Sequence, residues 1–174
     1  MEITTARLRI VPLKEEHFEG VCGYALDEEN ARMMVFFPKA SREEVGEFIR
    51  AAELEMKKPQ PDYYEFSVFL GEEIIGGVSM FFEGQYDRGE LGWIIRKDKW
   101  GSGYAGEAAV GLMRYFREKH GINRFIAQCD SENTSSERVM KKLGMSFAGA
   151  HGGRKNRSSD EERTEYLYEI VYDN

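Results

Sequence analysis

The chain has 174 residues, of which 41% are hydrophobic and 13% aromatic, and these values indicate a globular domain rather than a disordered chain. Its net charge of −7 argues against a nucleic-acid partner, because such a partner selects a basic protein face. No apolar run approaches the ~20 residues that a membrane-spanning helix needs, so we expect no membrane partner.

The N-terminus and the cysteines predict where the chain works. The opening residues lack the apolar centre of a signal peptide. Cys22 and Cys129 are the only cysteines, and two thiols without a secretion signal predict a reduced, cytoplasmic location. Because no Cys/His cluster has the spacing of a zinc site, we expect no metal.

The first part of the chain alternates between strand and helix patterns. Residues 7–12 alternate in the manner of a strand, and residues 14–27 carry an apolar stripe at helical spacing. Ser41 and Glu44 form a capping-box pattern, which predicts a helix that runs to about residue 58. The segment between these two helices fits no single pattern.

The second part begins with a hairpin and continues with strands and helices in turn. Residues 64–70 and 74–82 are the two strands of the hairpin, joined by a turn at Gly71. The remaining predicted elements are a strand at 91–95, a helix at 105–119, a strand at 124–129, a capped helix after Asn133, a strand from Ser146, a solvated polar loop at 152–163 and a last strand at 166–171.

These elements predict an α/β (α+β) fold, in which a mixed, mainly antiparallel sheet of about seven strands carries about four helices. The unit from Leu91 to Cys129 reads strand, helix, strand, so its strands should form one parallel pair with a right-handed crossover. No repeat or linker interrupts the pattern, and we expect residues 1–174 to form a single domain.

A glycine-rich loop before the helix at 105–119 is the strongest candidate site. Gly101, Gly103 and Gly106 let a ligand approach the backbone, and the free N–H groups of a first helical turn attract anions such as pyrophosphate. A tight turn with no ligand is one alternative. Another is a dinucleotide site, because the loop spells G-x-G-x-x-G and Asp130 ends the next strand.

Two features argue against the dinucleotide interpretation. Residues 96–99 separate the apolar strand from the first glycine, whereas in that fold the glycine follows the strand directly. The rest of the chain is also too short for a second mononucleotide-binding half. A phosphate loop of the ATPase type is excluded, because no Gly-Lys-Ser/Thr follows.

Three motifs in this region resemble those of the GNAT superfamily of N-acetyltransferases. Trp100-x-x-Gly103-x-Ala105 is similar to its pyrophosphate loop, in which Gln or Arg more often holds the first position. Asn133-x-x-Ser136, followed by Lys-Leu-Gly-Met, resembles its other signature. The string W-G-S-G-Y-A-G-E-A resembles the branch that holds ribosomal-protein N-terminal and polyamine acetyltransferases.

The resemblance implies a GNAT fold, in which two parallel strands splay apart and bind the pantetheine arm of acetyl-CoA, the expected co-substrate. Backbone N–H groups near Ile94 and Ile95 would hold the pantetheine and the thioester, and Asn133 would contact the arm. The residues implied for the pyrophosphate loop are Trp100, Gly101, Ser102, Gly103, Tyr104, Ala105 and Gly106.

The resemblance also implies direct attack of an amine on the thioester. No Ser-His or Cys-His pair suited to nucleophilic catalysis is apparent, so we expect no acyl-enzyme. Glu90 on the key strand is the predicted base, acting through water, and Tyr64, Glu65 and His151 are alternatives.

The predicted acid, which protonates the departing thiolate, is Ser136. Many relatives use a tyrosine on the last helix, but Met140 stands at that position here and has no proton to donate. A hydroxyl that bonds only to the helix backbone is the alternative role for Ser136, and solvent would then serve as the acid.

The acceptor site is predicted from one apolar segment that ends at Pro38. Residues 33–38 form either core or a pocket wall, and the resemblance favours the wall. Met33, Phe36 and Phe37 are therefore the candidate substrate-binding residues. The acidic surface mildly favours a cationic acceptor, although solubility alone also explains it.

The leading prediction is an acetyl-CoA-dependent N-acetyltransferase that acts on a primary amine, which is a protein N-terminus, a polyamine or another small amine. A non-catalytic acetyl-CoA sensor is the alternative that Met140 permits. A nicotinamide-dinucleotide binder rests on the glycine string alone. The sequence does not name the acceptor and leaves open whether the chain forms a homodimer.

Overall fold

The structure, a computed structural model, describes residues 1–35, 41–82, 86–157 and 159–173. These residues form eight strands and five helices. The strands are β1 (Ile3–Thr4), β2 (Leu8–Pro12), β3 (Tyr63–Leu70), β4 (Glu73–Phe81), β5 (Arg88–Ile95), β6 (Arg124–Asp130), β7 (Ser146–Lys155) and β8 (Glu162–Val171). The helices are α1 (Phe18–Ala25), α2 (Glu28–Ala31), α3 (Arg42–Glu55), α4 (Tyr104–His120) and α5 (Thr134–Lys142).

The strands form one sheet in the order β1-β2-β3-β4-β5-β6-β8-β7. Neighbours pair antiparallel except for β5 and β6, which are parallel and joined through α4. The predicted mixed, mainly antiparallel sheet with one parallel pair is therefore confirmed. The structure adds β1 and α2 to the predicted elements, because segments of two and four residues are too short to show a period.

Helices cover both faces of the sheet. On one face, Leu112 of α4 packs with Leu91 of β5 in the larger core cluster. On the other face, residues of α1 and α3 pack around Ile94 of β5. Because side chains of a strand alternate between faces, Glu90 and Gly92 share the α1/α3 face with Ile94.

The predicted helix ends are confirmed where the sequence carries a cap. The Ser41 hydroxyl accepts the Glu44 N–H at 3.1 Å and starts α3. Gly121 ends α4 with a φ of +69°, a conformation that glycine adopts without strain. The predicted helix at 14–27 is shorter in the structure, where a 3-10 turn at Glu15–His17 precedes α1.

The predicted solvated loop at 152–163 is wrong for half of its length. β7 extends to Lys155 and β8 begins at Glu162, so the hairpin takes up residues that the charge pattern assigned to a loop. Two of its arginines are also paired rather than solvated: Arg154 binds Glu165, and Arg163 binds Asp130. The charged residues of a hairpin can form ion pairs with each other or with a neighbouring strand, and the composition alone does not reveal such pairs.

Both cysteines are buried thiols, as predicted. Burial raises the pKa of the Cys129 thiol to about 11, so this group is protonated at neutral pH. No helix among the described residues has the length and apolar character needed to cross a membrane. The described residues also contain no cluster of three or more His, Cys, Asp or Glu side chains arranged to hold a metal ion.

Candidate active site

The parallel strands β5 and β6 separate partway along their length. They pair from Arg88 with Arg124 to Leu91 with Ala127, and no further. Beyond that point β5 pairs only with β4, and β6 pairs only with β8. The predicted splayed pair is therefore present, and it leaves a gap with unpaired backbone groups that we call the β5–β6 opening.

The backbone groups of β5 that face the opening belong to alternate residues. The Arg96 N–H donates to the Ile75 carbonyl at 2.7 Å, so the groups of Arg96 and Ile94 point to β4. Those of Trp93 and Ile95 point to the β5–β6 opening. Of the two residues predicted to hold a pantetheine by their backbone, Ile95 directs its backbone groups to the opening and Ile94 does not, whereas the neighbouring Trp93 does.

Trp100 links the start of the glycine loop, residues 101–106, to the β5–β6 opening. Its indole N–H donates to the Ile95 carbonyl at 2.6 Å, while the residue remains 52% exposed. The aromatic residue at this motif position thus satisfies one of the acceptors that β6 leaves unpaired. Its N–H fixes the loop against β5.

The glycine loop leads directly into the first turn of α4. Gly101 and Gly103 have φ values of +78° and +81°, which side chains of L-residues rarely adopt, and Gly103 is the N-cap of α4. The nearest heavy atom to a Cβ placed on Gly103 is 3.7 Å away, so backbone conformation rather than crowding requires glycine. The first-turn N–H groups of Tyr104, Ala105 and Gly106 have no helical acceptors, which suits them to bind an anion.

Arg7 supports the glycine loop, although nothing in the sequence connects the two. Its guanidinium donates to the Ser102 carbonyl at 3.0 Å and to Glu107 at 2.7 Å, and it lies 4.4 Å from the Tyr104 ring centre. Burial would raise the pKa of Glu107, but hydrogen bonds from Thr5 and Arg7 outweigh it and lower that pKa. This ion pair joins the β1–β2 turn to α4 and places a cation beside the loop.

Asn133 and Ser136 lie where β6 leads into α5. The Asn133 side-chain oxygen accepts the Ser136 N–H at 3.1 Å and caps the helix, so the Asn133 amide N–H groups are left as donors. Ser136 is half-buried in the first turn of α5. Met140 is fully buried in the core, and its thioether has no proton to donate.

The predicted base, Glu90, is half-buried on the α1/α3 face at the start of the β5–β6 opening. Its carboxylate accepts a hydrogen bond of 3.1 Å from Gln128 of β6, a residue that the sequence did not single out. The alternatives Tyr64 and His151 lie elsewhere. Tyr64 is buried on the opposite face against Phe116, and His151 is exposed on β7.

Glu65, the remaining alternative, lies on the same face as Glu90. It pairs with Ser79 of β4, which in turn pairs with Gly92 of β5, so the three residues form one row across the sheet. Burial raises the pKa of the Glu65 carboxyl to about 8. Beside the row, the rings of Tyr63 and Phe81 stack with centroids 5.7 Å apart and form an aromatic wall.

Helix α2 lies at this site and is fixed at both ends. Lys97, just after β5, binds Asp27 at 2.8 Å before α2 begins. After α2 ends, the Met33 carbonyl accepts a hydrogen bond of 2.7 Å from Arg154 of β7. Met33, a candidate acceptor contact, is therefore half-buried in a wall that is tied to two other elements. The other two candidates, Phe36 and Phe37, lie outside the described residues.

The side chain of Asn30 in α2 is buried without hydrogen bonds to the described residues. The residue is 8% exposed, and neither its side-chain oxygen nor its nitrogen has a partner among the described residues. An unpaired buried amide costs roughly 1–3 kcal/mol, so its presence in α2 needs a reason. A bound ligand that supplies the missing partner is such a reason.

Asp130, at the end of β6, is fully buried and neutralised from several sides. Arg163 and Asn156 donate to its carboxylate, and the Glu132 N–H donates at 2.8 Å. Burial would raise the pKa of Asp130, but these partners outweigh it and hold the pKa below its usual value. The carboxylate is thus occupied by protein donors, and the mainly antiparallel sheet is not a dinucleotide-binding fold.

A family model described as an acetyltransferase (GNAT) domain matches residues 7–146 of this chain. The matched range contains both strands of the β5–β6 opening, the glycine loop and α5. The match therefore covers most of the chain and every element that builds the candidate site on the β5 and β6 side.

Individual proteins give the same result. The chain is 30% identical over 154 residues to the uncharacterized N-acetyltransferase YnaD of Bacillus subtilis (strain 168), covering 86% of this chain and 85% of that one. An acetyltransferase (GNAT family) structure from Bacillus anthracis has a TM-score of 0.81 and 27% identity over 98% of both chains. RimL, a ribosomal L7/L12 alpha-N-protein acetyltransferase in complex with coenzyme A, has a TM-score of 0.84 over 98% of both chains; its 16% identity limits the likeness to the fold.

Asp130→Asn should destabilise the protein by roughly 3 kcal/mol, because it leaves buried Arg163 and Asn156 donors without their charged acceptor. The pKa of Asp130 is lowered in the folded state, so its contribution exists above the usual carboxyl pKa and is lost as the pH falls through the folded value. Chemical denaturation at several pH values measures this difference.

Glu132→Gln is the matched control, because Glu132 binds the same Arg163 at 2.5 Å but is 70% exposed. This exposed pair should be worth less than about 1 kcal/mol. Equal losses for the two variants would show that burial of Asp130 does not set the strength of the network.

Asn30→Leu should raise Tm by several degrees, because it replaces an unpaired buried amide with an apolar group of similar size, worth about 1 kcal/mol or more. The same variant should transfer acetyl groups more slowly if the amide serves a ligand. Calorimetry and a steady-state assay measure the two effects. A lower Tm would instead identify Asn30 as a structural residue that is hydrogen-bonded in solution.

Proposed function

The chain belongs to the GNAT acetyltransferase family, and from this premise we propose that it acetylates a primary amine by direct transfer in a ternary complex with acetyl-CoA. Membership makes the chain an acetyl-CoA-dependent N-acetyltransferase. The β5–β6 opening, with the glycine loop at its end, is the observation that carries the proposal.

The residues around the opening fit the chemistry of acetyl-CoA. Backbone groups of Trp93 and the N–H of Ile95 would pair with the amides of the pantetheine arm as a neighbouring strand would. The Asn133 amide is a further donor at the β6 side. The first-turn N–H groups of α4 and the nearby Arg7 guanidinium would hold the pyrophosphate.

Transfer would then proceed without a covalent enzyme intermediate. The amine nitrogen attacks the thioester carbonyl, the C–N bond forms, and the C–S bond breaks as the tetrahedral intermediate collapses. Glu90 would help to remove a proton from the incoming ammonium through water, since it lies at the start of the opening. Ser136, half-buried in the first turn of α5, would protonate the departing thiolate.

The acceptor is proposed to be cationic until it is deprotonated. The Glu90 carboxylate lies on the α1/α3 face at the start of the opening, where it would attract an ammonium. The named activity of RimL on a ribosomal protein supports a peptide N-terminus, and polyamines and other small amines are the alternatives. A cytoplasmic location and a homodimer are further parts of this proposal, which fractionation and light scattering would test.

Glu90→Gln should lower kcat at neutral pH by roughly 10- to 100-fold, and a higher pH should recover part of the loss because more of the amine is then already neutral. The measurement is thiol release from acetyl-CoA with a panel of acceptors: a peptide with an N-terminal serine, spermidine and an alkylamine. Glutamine can still accept the hydrogen bond from Gln128, so the local geometry is kept.

The panel also tests the proposed function itself. Wild-type protein should release thiol with at least one of these amines and yield its acetylated product by mass spectrometry. Binding of acetyl-CoA without transfer to any amine would favour the sensor alternative. Unchanged pH–rate profiles in Glu90→Gln would remove Glu90 from the mechanism.

Ser102→Asp should weaken acetyl-CoA binding about tenfold or more, because it places a negative charge in the loop proposed to meet the pyrophosphate. Ser102 is exposed, so Tm without ligand should stay unchanged. Calorimetric titration at low and high salt measures the affinity, and the loss should shrink with salt. Ser102→Asn is the neutral control of similar size, and equal affinities for the two variants would place the pyrophosphate elsewhere.

A further inference from the structure

Glu65 carries a carboxyl group that no hydrogen bond or ion pair engages among the described residues, although the residue is only half-exposed. Buried or half-buried carboxyl groups are ordinarily paired, as Asp130 is in this protein. An unpaired one at a candidate active site is therefore a candidate functional group. The mechanism above, which uses Glu90, gives it no task.

The row Glu65–Ser79–Gly92 leads from this carboxyl to the β5–β6 opening. Gly92 is the first residue of β5 beyond the last parallel pair, Leu91 with Ala127, so the row ends where the opening begins. A Cβ on Gly92 would lie 2.4 Å from the Ser79 hydroxyl. The hydroxyl thus occupies the space above the glycine, between Glu65 and the opening.

The distances along the row suit a short proton path. Neighbouring strands lie about 4.8 Å apart, so the Cα atoms of Glu65 and Gly92 are about 10 Å apart across β4. A glutamate side chain and one hydroxyl or water molecule cover that gap. Any residue larger than glycine at position 92 would displace the Ser79 hydroxyl.

The groups around Glu65 do not stabilise its charge. Tyr24 of α1 and Tyr63 of β3 couple to it electrostatically, and burial raises the pKa of both phenols, so they are neutral at physiological pH. β4 presents Ser79, which does not titrate, and Glu90 lies two strands away on the same face. His17, which bonds Ser67 two residues along β3, has its pKa lowered by burial. With no cation beside it among the described residues, desolvation raises the pKa of Glu65 to about 8, close to the pH at which a base works best.

We propose that Glu65 is the carboxylate that takes the second proton, which the acceptor nitrogen releases as it becomes the amide, relayed by the Ser79 hydroxyl or a water molecule. Glu90, held by Gln128, attracts and orients the ammonium at the start of the opening. This role rests on the proposed function. It makes Glu65, rather than Glu90, the group whose ionisation shapes the pH dependence of transfer.

The protons and electrons balance in this scheme. The ammonium first loses one proton through water with the help of Glu90, and the neutral nitrogen uses its lone pair to form the C–N bond. Glu65 takes the second nitrogen proton, and collapse of the tetrahedral intermediate breaks the C–S bond. Ser136 protonates the leaving thiolate and regains its proton from solvent. The amide and the free thiol are the products, and Glu65 returns its proton to solvent.

The test compares wild type with Glu65→Gln across pH, using the best acceptor of the amine panel. Protonated glutamate resembles glutamine, so the two proteins should differ less than twofold in kcat/KM at about pH 6, where neither has a base. Wild type should be faster by about 100-fold at about pH 9, with the ratio rising through an apparent pKa near 8. Ionisation of the amine affects both proteins equally and cancels in the ratio.

Thermal unfolding gives a readout that does not depend on activity. The pKa of Glu65 is raised from its ordinary 4.5, so only the unfolded chain releases this proton as the pH rises between about 4.5 and 8. Wild type should therefore lose Tm relative to Glu65→Gln over this window, and the difference should level off above it. Glu72→Gln, an exposed substitution in the adjoining turn, should behave as wild type in both experiments.

The outcomes separate this inference from the proposed function. Transfer by wild type with a rate ratio that grows with pH supports the role of Glu65. Transfer with a pH-independent ratio overturns it while the proposed function stands. The inference also falls if the ratio that grows with pH is found for Glu90→Gln instead, or if wild type acetylates no amine, in which case the proposed function fails with it.

Discussion

The rest of the structure depends on one gap in the sheet, where β5 and β6 separate beyond Leu91 and Ala127. Backbone groups inside a protein must find partners, and an interior pair of strands that parts leaves them without any. The indole of Trp100 satisfies the Ile95 carbonyl. The groups that remain are suited to an extended ligand with amides of its own, and a pantetheine arm has this chemistry.

The two sides of the candidate site carry opposite charge. The end of the opening at α4 is positive, since the unpaired N–H groups of its first turn lie beside the Arg7 guanidinium. On the α1/α3 face, the Glu90 carboxylate lies at the start of the opening. An anionic donor and a cationic acceptor would thus approach the opening from different sides, although the chain as a whole has a net charge of −7.

Sequence reasoning succeeded where the signal is local. The glycine loop, the cap at Ser41 and the strand–helix–strand unit each lie within one short stretch, so their periods and caps are visible in it. It failed where partners are distant in the chain. Arg7 lies about one hundred residues from Glu107, and the charges of the β7–β8 hairpin pair with Asp130. Strand alternation decides that Trp93 rather than Ile94 faces the opening, but only once the register with β4 is known.

The features that stabilise this fold least are concentrated at its candidate site. The Asn30 side chain is buried without partners among the described residues, and Glu65 is held in surroundings that disfavour its charge. Elsewhere the same groups are satisfied: Asn156 and Asp130 bond to each other, and Glu55 of α3 and Glu107 of α4 have cationic partners. The stability of the fold alone would favour replacing these unsatisfied side chains. Their position around the β5–β6 opening is best explained by roles in binding a ligand and in transferring a proton.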